Sequence, residues 1–324
     1  MSDQNNSEKA IVIEEEKQDN SVVRFLFEEH GVRGEIMHMH EPVKKLLENI
    51  NHYPDCIKSL MLELASAAVL IAATLKADGT VTVQIQCGKG PKAMNFAFIN
   101  IDKNLNFYGN VSWDKRDDFD TATFRELVGE GGILVISAFP EGGNRYQGIV
   151  SLDKDSISQA LESYFKDSEQ LPTTIRLYND IGACKTGGIL LQIIPEIDNN
   201  LESLDHLNTL CATLSADELF DLSLNESLRR LYWNDKIRVF DPESVAFKCI
   251  CSHERIINAI SGLPVDDLAE IAADPDGIDM TCNSCGRVYH VVQEEVQEIL
   301  NKSEKEKAIE TAAARESLHQ PSDS

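Results

Sequence analysis

Two tight cysteine pairs constrain this chain more than any other feature. Cys249 and Cys251 flank one residue in FKCICSHERI, and Cys282 and Cys285 flank two in DMTCNSCGRVYH, after a spacer of thirty residues. A Cys-x-x-Cys turn delivers two thiolates to one metal, and zinc takes four such ligands at tetrahedral corners. The glycine after Cys285 permits the left-handed turn that such a knuckle often needs. The spacer is longer than in common zinc fingers and has room for a helix of its own, which PVDDLAEIAA supplies. All four cysteines are therefore read as ligands of one zinc ion. His253 and His290 lie near them and are weighed as substitute ligands, but surface or structural roles are the simpler reading.

The first pair is unusual. Cys-x-Cys is rarer than Cys-x-x-Cys in structural zinc sites. Its sulfurs, once free of metal, are held near each other and could close a small strained ring, and strained disulfides tend to be the labile, regulatory ones. Zinc holds thiols deprotonated, and the thiolate is the form that oxidants attack. Losing the metal removes the free energy that folds so small a domain. Residues alone thus describe a metal-clamped, oxidant-sensitive module. Cys56, Cys87, Cys184 and Cys211 are scattered and read as buried or incidental thiols.

This reading depends on compartment. The start MSDQNNSEKAIVIEEEKQDN is acidic and lacks the positive, apolar pattern of a signal or transit peptide, so a cytoplasmic, reducing location is expected. A formal net charge of −24 repels nucleic acid and anionic lipid, and the basic residues form no patch that would offset it. CIKSLMLELASAAVLIAATLK, 56–76, is long enough for a bilayer, but Lys58, Glu63 and serines interrupt it and a turn and strand follow. It is read as a buried core helix. Neither nucleic acid nor membrane is an expected partner.

Along the chain, 1–21 reads as a disordered acidic tail. EPVKKLLENI has helical spacing, and the 56–76 helix has a narrow polar stripe at Ser59, Glu63 and Ser66. TVTVQIQ alternates as a strand, MNFAFINI and LNFYGNVSW continue the sheet, GGILVISAF fits a central strand, and QGIVSL closes a hairpin with it. Ser156 with Gln159 forms a capping box before ISQALESYF; TTIRLY and GILLQII return to strand. Regular βα alternation is absent, so the class is α+β. From 196 to 247 the chain is acid-rich and mostly helical, with a second capping box at Ser215 and Glu218. Helices this short are marginal alone and must dock to persist. HMH at 38–40 reads as a loop or strand surface. No G-x-x-x-x-G-K-[ST], G-x-S-x-G or H-E-x-x-H motif occurs.

The residues together resemble the heat-shock protein 33 family, the 33 kDa redox-regulated chaperonins. The similarity runs from about Val22 to Leu300 through RFLFEEHGVRGE, AATLKADGTVTVQIQ, NRYQGIVSL, SYFKDSEQLPT, GGILLQIIP, LRRLYW, VYH and the two cysteine pairs. It implies an N-terminal core domain (22–195), a metastable helical linker (196–247), a zinc-binding switch domain (248–302) and a tail (303–324). It implies an ATP-independent holdase rather than an enzyme. In the reduced state one zinc per chain is held by Cys249, Cys251, Cys282 and Cys285, and the chaperone is off. Oxidation pairs Cys249 with Cys251 and Cys282 with Cys285, the metal is released, and zinc domain and linker unfold. The monomer then becomes a homodimer that binds unfolding client proteins. Two other readings stand beside it: a constitutive zinc-stabilised interaction module, and a thiol–disulfide oxidoreductase using Cys282 and Cys285. The acidic start is longer than the resemblance requires, and the four scattered cysteines leave room for additional disulfides.

Overall fold

The apolar helix Asp55–Leu75 is packed between two six-stranded sheets, and the first part of the chain is organised around it. The computed structural model describes residues 19–75, 78–114, 121–142, 144–195, 197, 200–303 and 305. Most of the tail expected over 1–21 lies outside these residues, although Ser21 already opens a strand. The tail expected over 303–324 lies outside them apart from 303 and 305. The chain divides into two compact units, Met1–Lys248 and Cys249–Ser324.

In chain order the first unit contains β1 (Ser21–Phe27), β2 (Val32–Met39), α1 (Glu41–Asn49), α2 (Asp55–Leu75), β3 (Gly79–Gln86), β4 (Phe96–Ile101), β5 (Asn106–Ser112) and α3 (Phe124–Val128). There follow β6 (Ile133–Pro140), β7 (Tyr146–Ser151), α4 (Ile157–Asp167), β8 (Thr173–Asp180), β9 (Lys185–Ile193), α5 (Asn200–Cys211), α6 (Ala216–Asp221) and α7 (Leu224–Leu231). Three short strands end it: β10 (Ile237–Val239), β11 (Glu243–Ser244) and β12 (Ala246–Phe247). One sheet has the order β10-β1-β2-β9-β8, with β11 also on β1; the other runs β12-β5-β4-β3-β6-β7. The pairings are antiparallel except β12 with β5. The fold is α+β.

Helix α2 is the one helix among the described residues long and apolar enough to cross a bilayer, and it is the core of the fold. Its narrow polar stripe faces β8 and β9. Ser59 Oγ donates to Asn179 Oδ1 (3.2 Å), Asn179 Nδ2 donates to Glu63 Oε1 (3.2 Å), and Ser66 Oγ shares a 2.9 Å hydrogen bond with Thr186 Oγ1. Each polar group on an otherwise buried helix has a partner, as burial requires.

The first sheet is covered on both faces. Val22, Met37, Met39 and Leu190 face α2. On the other face Val23, Phe25, Phe27, Ile36, Ile189 and Leu191 pack against Leu204, Leu207, Leu219, Phe220, Leu228 and Tyr232 of α5–α7 and the turn after them. The short helices of 196–247 persist by this docking. The full capping box Ser215–Glu218 starts α6, whereas at Ser156 only half a box forms, because Gln159 Oε1 accepts from Asp155 N. The end of 196–247 is not helical: β10 and β11 join one sheet and β12 the other. Strands of two or three residues carry no readable periodicity. His38, expected on a surface, is a buried β2 side chain.

The second unit contains α8 (His253–Ser261), α9 (Val265–Ala272), the hairpin β13 (Ile278–Thr281) and β14 (Val288–Val291), and a helix beginning at 293. Its core among the described residues is small: Ile260, Leu268, Ala272, Val291, Val296, Ile299 and Leu300. A core of this size rarely sustains an independent fold without a staple.

Candidate metal centre

Local structure brings the two cysteine pairs to one point. Cys249 and Cys251 lie in the extended stretch just before α8, whose N-cap is the next residue, Ser252; its Oγ accepts from Arg255 N at 3.2 Å. Helix α8 thus begins two residues after Cys251. Cys282 and Cys285 occupy the loop of the β13–β14 hairpin. Cys285 N and Gly286 N both donate to Cys282 O (3.3 and 2.8 Å), Cys282 N donates to Arg287 O (2.9 Å), and Gly286 sits at φ 67°. Only glycine takes that conformation without steric cost, so the tight turn that exposes both sulfurs depends on it. The hairpin was not legible from the sequence, because IDMT and VYHV are too short to alternate convincingly.

The four sulfurs lie within 4.8 Å of one another and form a group that could hold a metal ion. Cys249 Sγ is 3.7 Å from Cys282 Sγ, and Cys251 Sγ is 3.3 Å from Cys285 Sγ. A tetrahedral ion with metal–sulfur bonds of about 2.3 Å requires sulfur–sulfur edges of about 3.8 Å, so the spacing suits four-thiolate coordination. All eight cysteines are free thiols.

Electrostatics set Cys251 apart from Cys249 and Cys285. Burial raises the Cys249 and Cys285 thiols above the ordinary thiol range. Burial also pushes Cys251 up, but the Tyr289 hydroxyl and the neighbouring thiols outweigh it and leave Cys251 below that range. Tyr289 Oη donates to Cys251 Sγ at 3.1 Å, and Arg287 Nη1 donates to Tyr289 Oη at 3.5 Å. Tyr289 is a site residue that the sequence did not single out; its place opposite Met280 in the β13–β14 register puts it beside the cysteines. The two nearby histidines are engaged elsewhere. His253 Nε2 pairs with Glu295 (2.7 Å) and His290 Nδ1 with Asp279 (2.8 Å).

The other four cysteines are not part of this group. Burial raises Cys87 to about 12 and Cys211 to about 11, which suppresses their thiolates near neutrality.

Known proteins resemble the chain over most of its length. The family model described as Hsp33 protein matches residues 20–292. The 33 kDa chaperonin of Yersinia pestis (strain Pestoides F) is 41% identical over 268 residues, which is 82% of this chain and 90% of that protein. The 33 kDa chaperonin of Yersinia pseudotuberculosis serotype O:1b matches to the same extent. The crystal structure of a 33 kDa chaperonin from Thermotoga maritima superposes with a TM-score of 0.72 at 20% identity, covering 88% of this chain and 99% of that one.

Proposed function

The chain belongs to the Hsp33 protein family, a chaperone family, and from that premise we propose that it is a redox-switched, ATP-independent holdase. The observation that carries the reading is the convergence of four thiols within 4.8 Å, two residues downstream of a segment that covers an apolar sheet face. In the reduced state Cys249, Cys251, Cys282 and Cys285 hold one zinc ion, which neutralises thiolate charge and cross-links the two halves of the 248–302 domain. Its seven-residue core is too small to fold well without that link.

Peroxide takes two electrons from each pair of thiolates, forming one disulfide and leaving water. Cys249 pairs with Cys251 and Cys282 with Cys285. No thiolate then remains for the metal, and the domain loses its cross-link. The linker, 196–247, is continuous with it and lifts from the core domain, 22–195. Val23, Phe25, Ile36 and Leu191 become available to apolar segments of unfolding clients. Exposed apolar surface also favours a homodimer, with the reduced chain monomeric. The protein acts in the cytoplasm, by holding clients and not by turnover.

The test is to follow aggregation of a heat-unfolded client with reduced and with peroxide-treated protein. Suppression by the oxidised form alone is expected. Equal suppression by both favours a constitutive zinc-stabilised module, and catalytic disulfide exchange favours an oxidoreductase.

A further inference from the structure

We propose that His30 is a positioning residue that pins both ends of the helical segment 200–235 to the core and sets how readily that segment lifts off. His30 lies in the turn between β1 and β2. Its Nδ1 is 3.3 Å from Ser203 Oγ, in the first turn of α5, and its Nε2 is 2.9 Å from Asp235 Oδ1, just beyond α7. Ser203 and Asp235 are 32 residues apart in sequence, at opposite ends of the three docked helices. One imidazole therefore closes the whole helical segment into a loop on the sheet.

Histidine suits this position for a chemical reason. A carboxylate can only accept, so Nε2 carries a hydrogen and donates it to Asp235; the Ser203 hydroxyl, which can donate or accept, pairs with Nδ1. One ring satisfies both ends at once. The pair is shielded, with side-chain exposures of 25% for His30 and 9% for Asp235, so water competes poorly for these bonds. The ring stands edge-on to Phe27 (6.1 Å between centroids, 74°), and Phe27 stands edge-on to Tyr232 (4.8 Å, 87°). The latch is thus seated on the apolar face that the helices cover. Asn208, which accepts from Arg176 Nη2 at 2.9 Å, and Leu214 O, which accepts from Tyr178 Oη at 2.9 Å, tie the middle of the segment independently. Asn200 Nδ2, which donates to Ile194 O at 2.9 Å, and Lys236 O, which accepts from Glu28 N at 3.0 Å, hold the two ends as well. Releasing His30 therefore removes the one side chain that ties both ends together and loosens them without detaching the segment, which makes it a threshold element.

The idea rests on the proposed release of 196–247, but its test does not. Hydrogen exchange is measured on the full, reduced, zinc-loaded protein for wild type, His30→Phe, Ser203→Ala and Asp235→Asn. Phenylalanine keeps a ring against Phe27 and loses both hydrogen bonds. Exchange within 200–235 should accelerate about tenfold or more in His30→Phe, with β3–β6 unchanged. Ser203→Ala should give a smaller acceleration alone and add nothing in the His30→Phe background, a coupling that general destabilisation does not produce. Unchanged exchange over 200–235, or fully additive effects, overturns the proposal. Ser203→Ala alone decides the matter if His30→Phe does not fold. Client holding is then assayed in the same reduced samples. Its appearance supports a threshold role in the switch. Faster exchange without holding leaves the pin standing and rejects release of this segment as the activating step.

Discussion

Tyr289 donates its hydroxyl hydrogen to the sulfur of Cys251 across 3.1 Å, and is itself approached by Arg287. This chain of donors places positive dipole on one thiol of the four. Groups that orient and polarise ligands typically contribute ten- to hundredfold in metal affinity. Tyr289→Phe, which leaves the ring in place, should weaken zinc binding roughly tenfold in competition with a chromophoric chelator. An affinity equal to wild type would show that the hydroxyl is a bystander.

Cys282→Ser tests whether the metal holds the second unit together. We expect zinc affinity to collapse and limited proteolysis to cut early within 249–302, because Ile260, Leu268, Val291 and their neighbours cannot hold that region alone. The unit Met1–Lys248 has a far larger core and should resist cleavage as before. Undiminished zinc binding would exclude Cys282 as a ligand.

Disulfide mapping distinguishes two outcomes with opposite physical consequences. The sulfurs nearest each other lie across the motifs, 249 with 282 and 251 with 285. Bridges there would close loops of 33 and 34 residues and restrain the unfolded chain by about 4 kcal/mol each, stapling the domain. Bridges within the motifs close tiny loops and restrain it by roughly half as much, so the domain is free to open. The proposed switch, which takes its pairing from the family resemblance, requires peptide mapping after peroxide to find 249–251 and 282–285. Cross-motif bridges would leave the domain folded and contradict unfolding as the trigger.

Much of this was legible in the sequence, and the gaps have a common cause. The cysteine spacing identified the four thiols that converge. The stripe Ser59, Glu63, Ser66 forecast a helix buried on most sides, but its partners Asn179 and Thr186 lie just outside TTIRLY and GILLQII, in a stretch that reads as a turn and into which β8 and β9 extend. Ser215 and Glu218 marked α6 because a capping box is a local signal. What stayed hidden depends on register between distant segments. Tyr289 reaches Cys251 only because β14 pairs with β13, and His30 meets Ser203 and Asp235 only after α5–α7 dock. Strands β10–β12 are too short for periodicity and exist because longer strands offer free edges to pair with.

Glu63 gives the core a pH dependence of definite sign. Burial raises its carboxyl above the ordinary 4.5, while the Asn179 hydrogen bond lowers it by less. As pH rises through 4.5 the unfolded chain ionises first and the folded chain keeps its proton, so stability falls until the raised folded value is passed. Glu63→Gln keeps an acceptor for Asn179 and removes the charge. It should raise the Tm by roughly 2 °C at neutral pH and flatten this part of the stability profile. A lower Tm at neutral pH would show that the ionised carboxylate is favourable where it sits.

The most direct measurement follows three quantities in one sample during peroxide treatment at raised temperature: zinc released, thiols remaining and suppression of client aggregation. If the four cysteines are the switch, one zinc per chain is released as their four thiols disappear, and suppression rises in step with them. Full zinc release with suppression unchanged would contradict the switch and leave the metal a purely structural role.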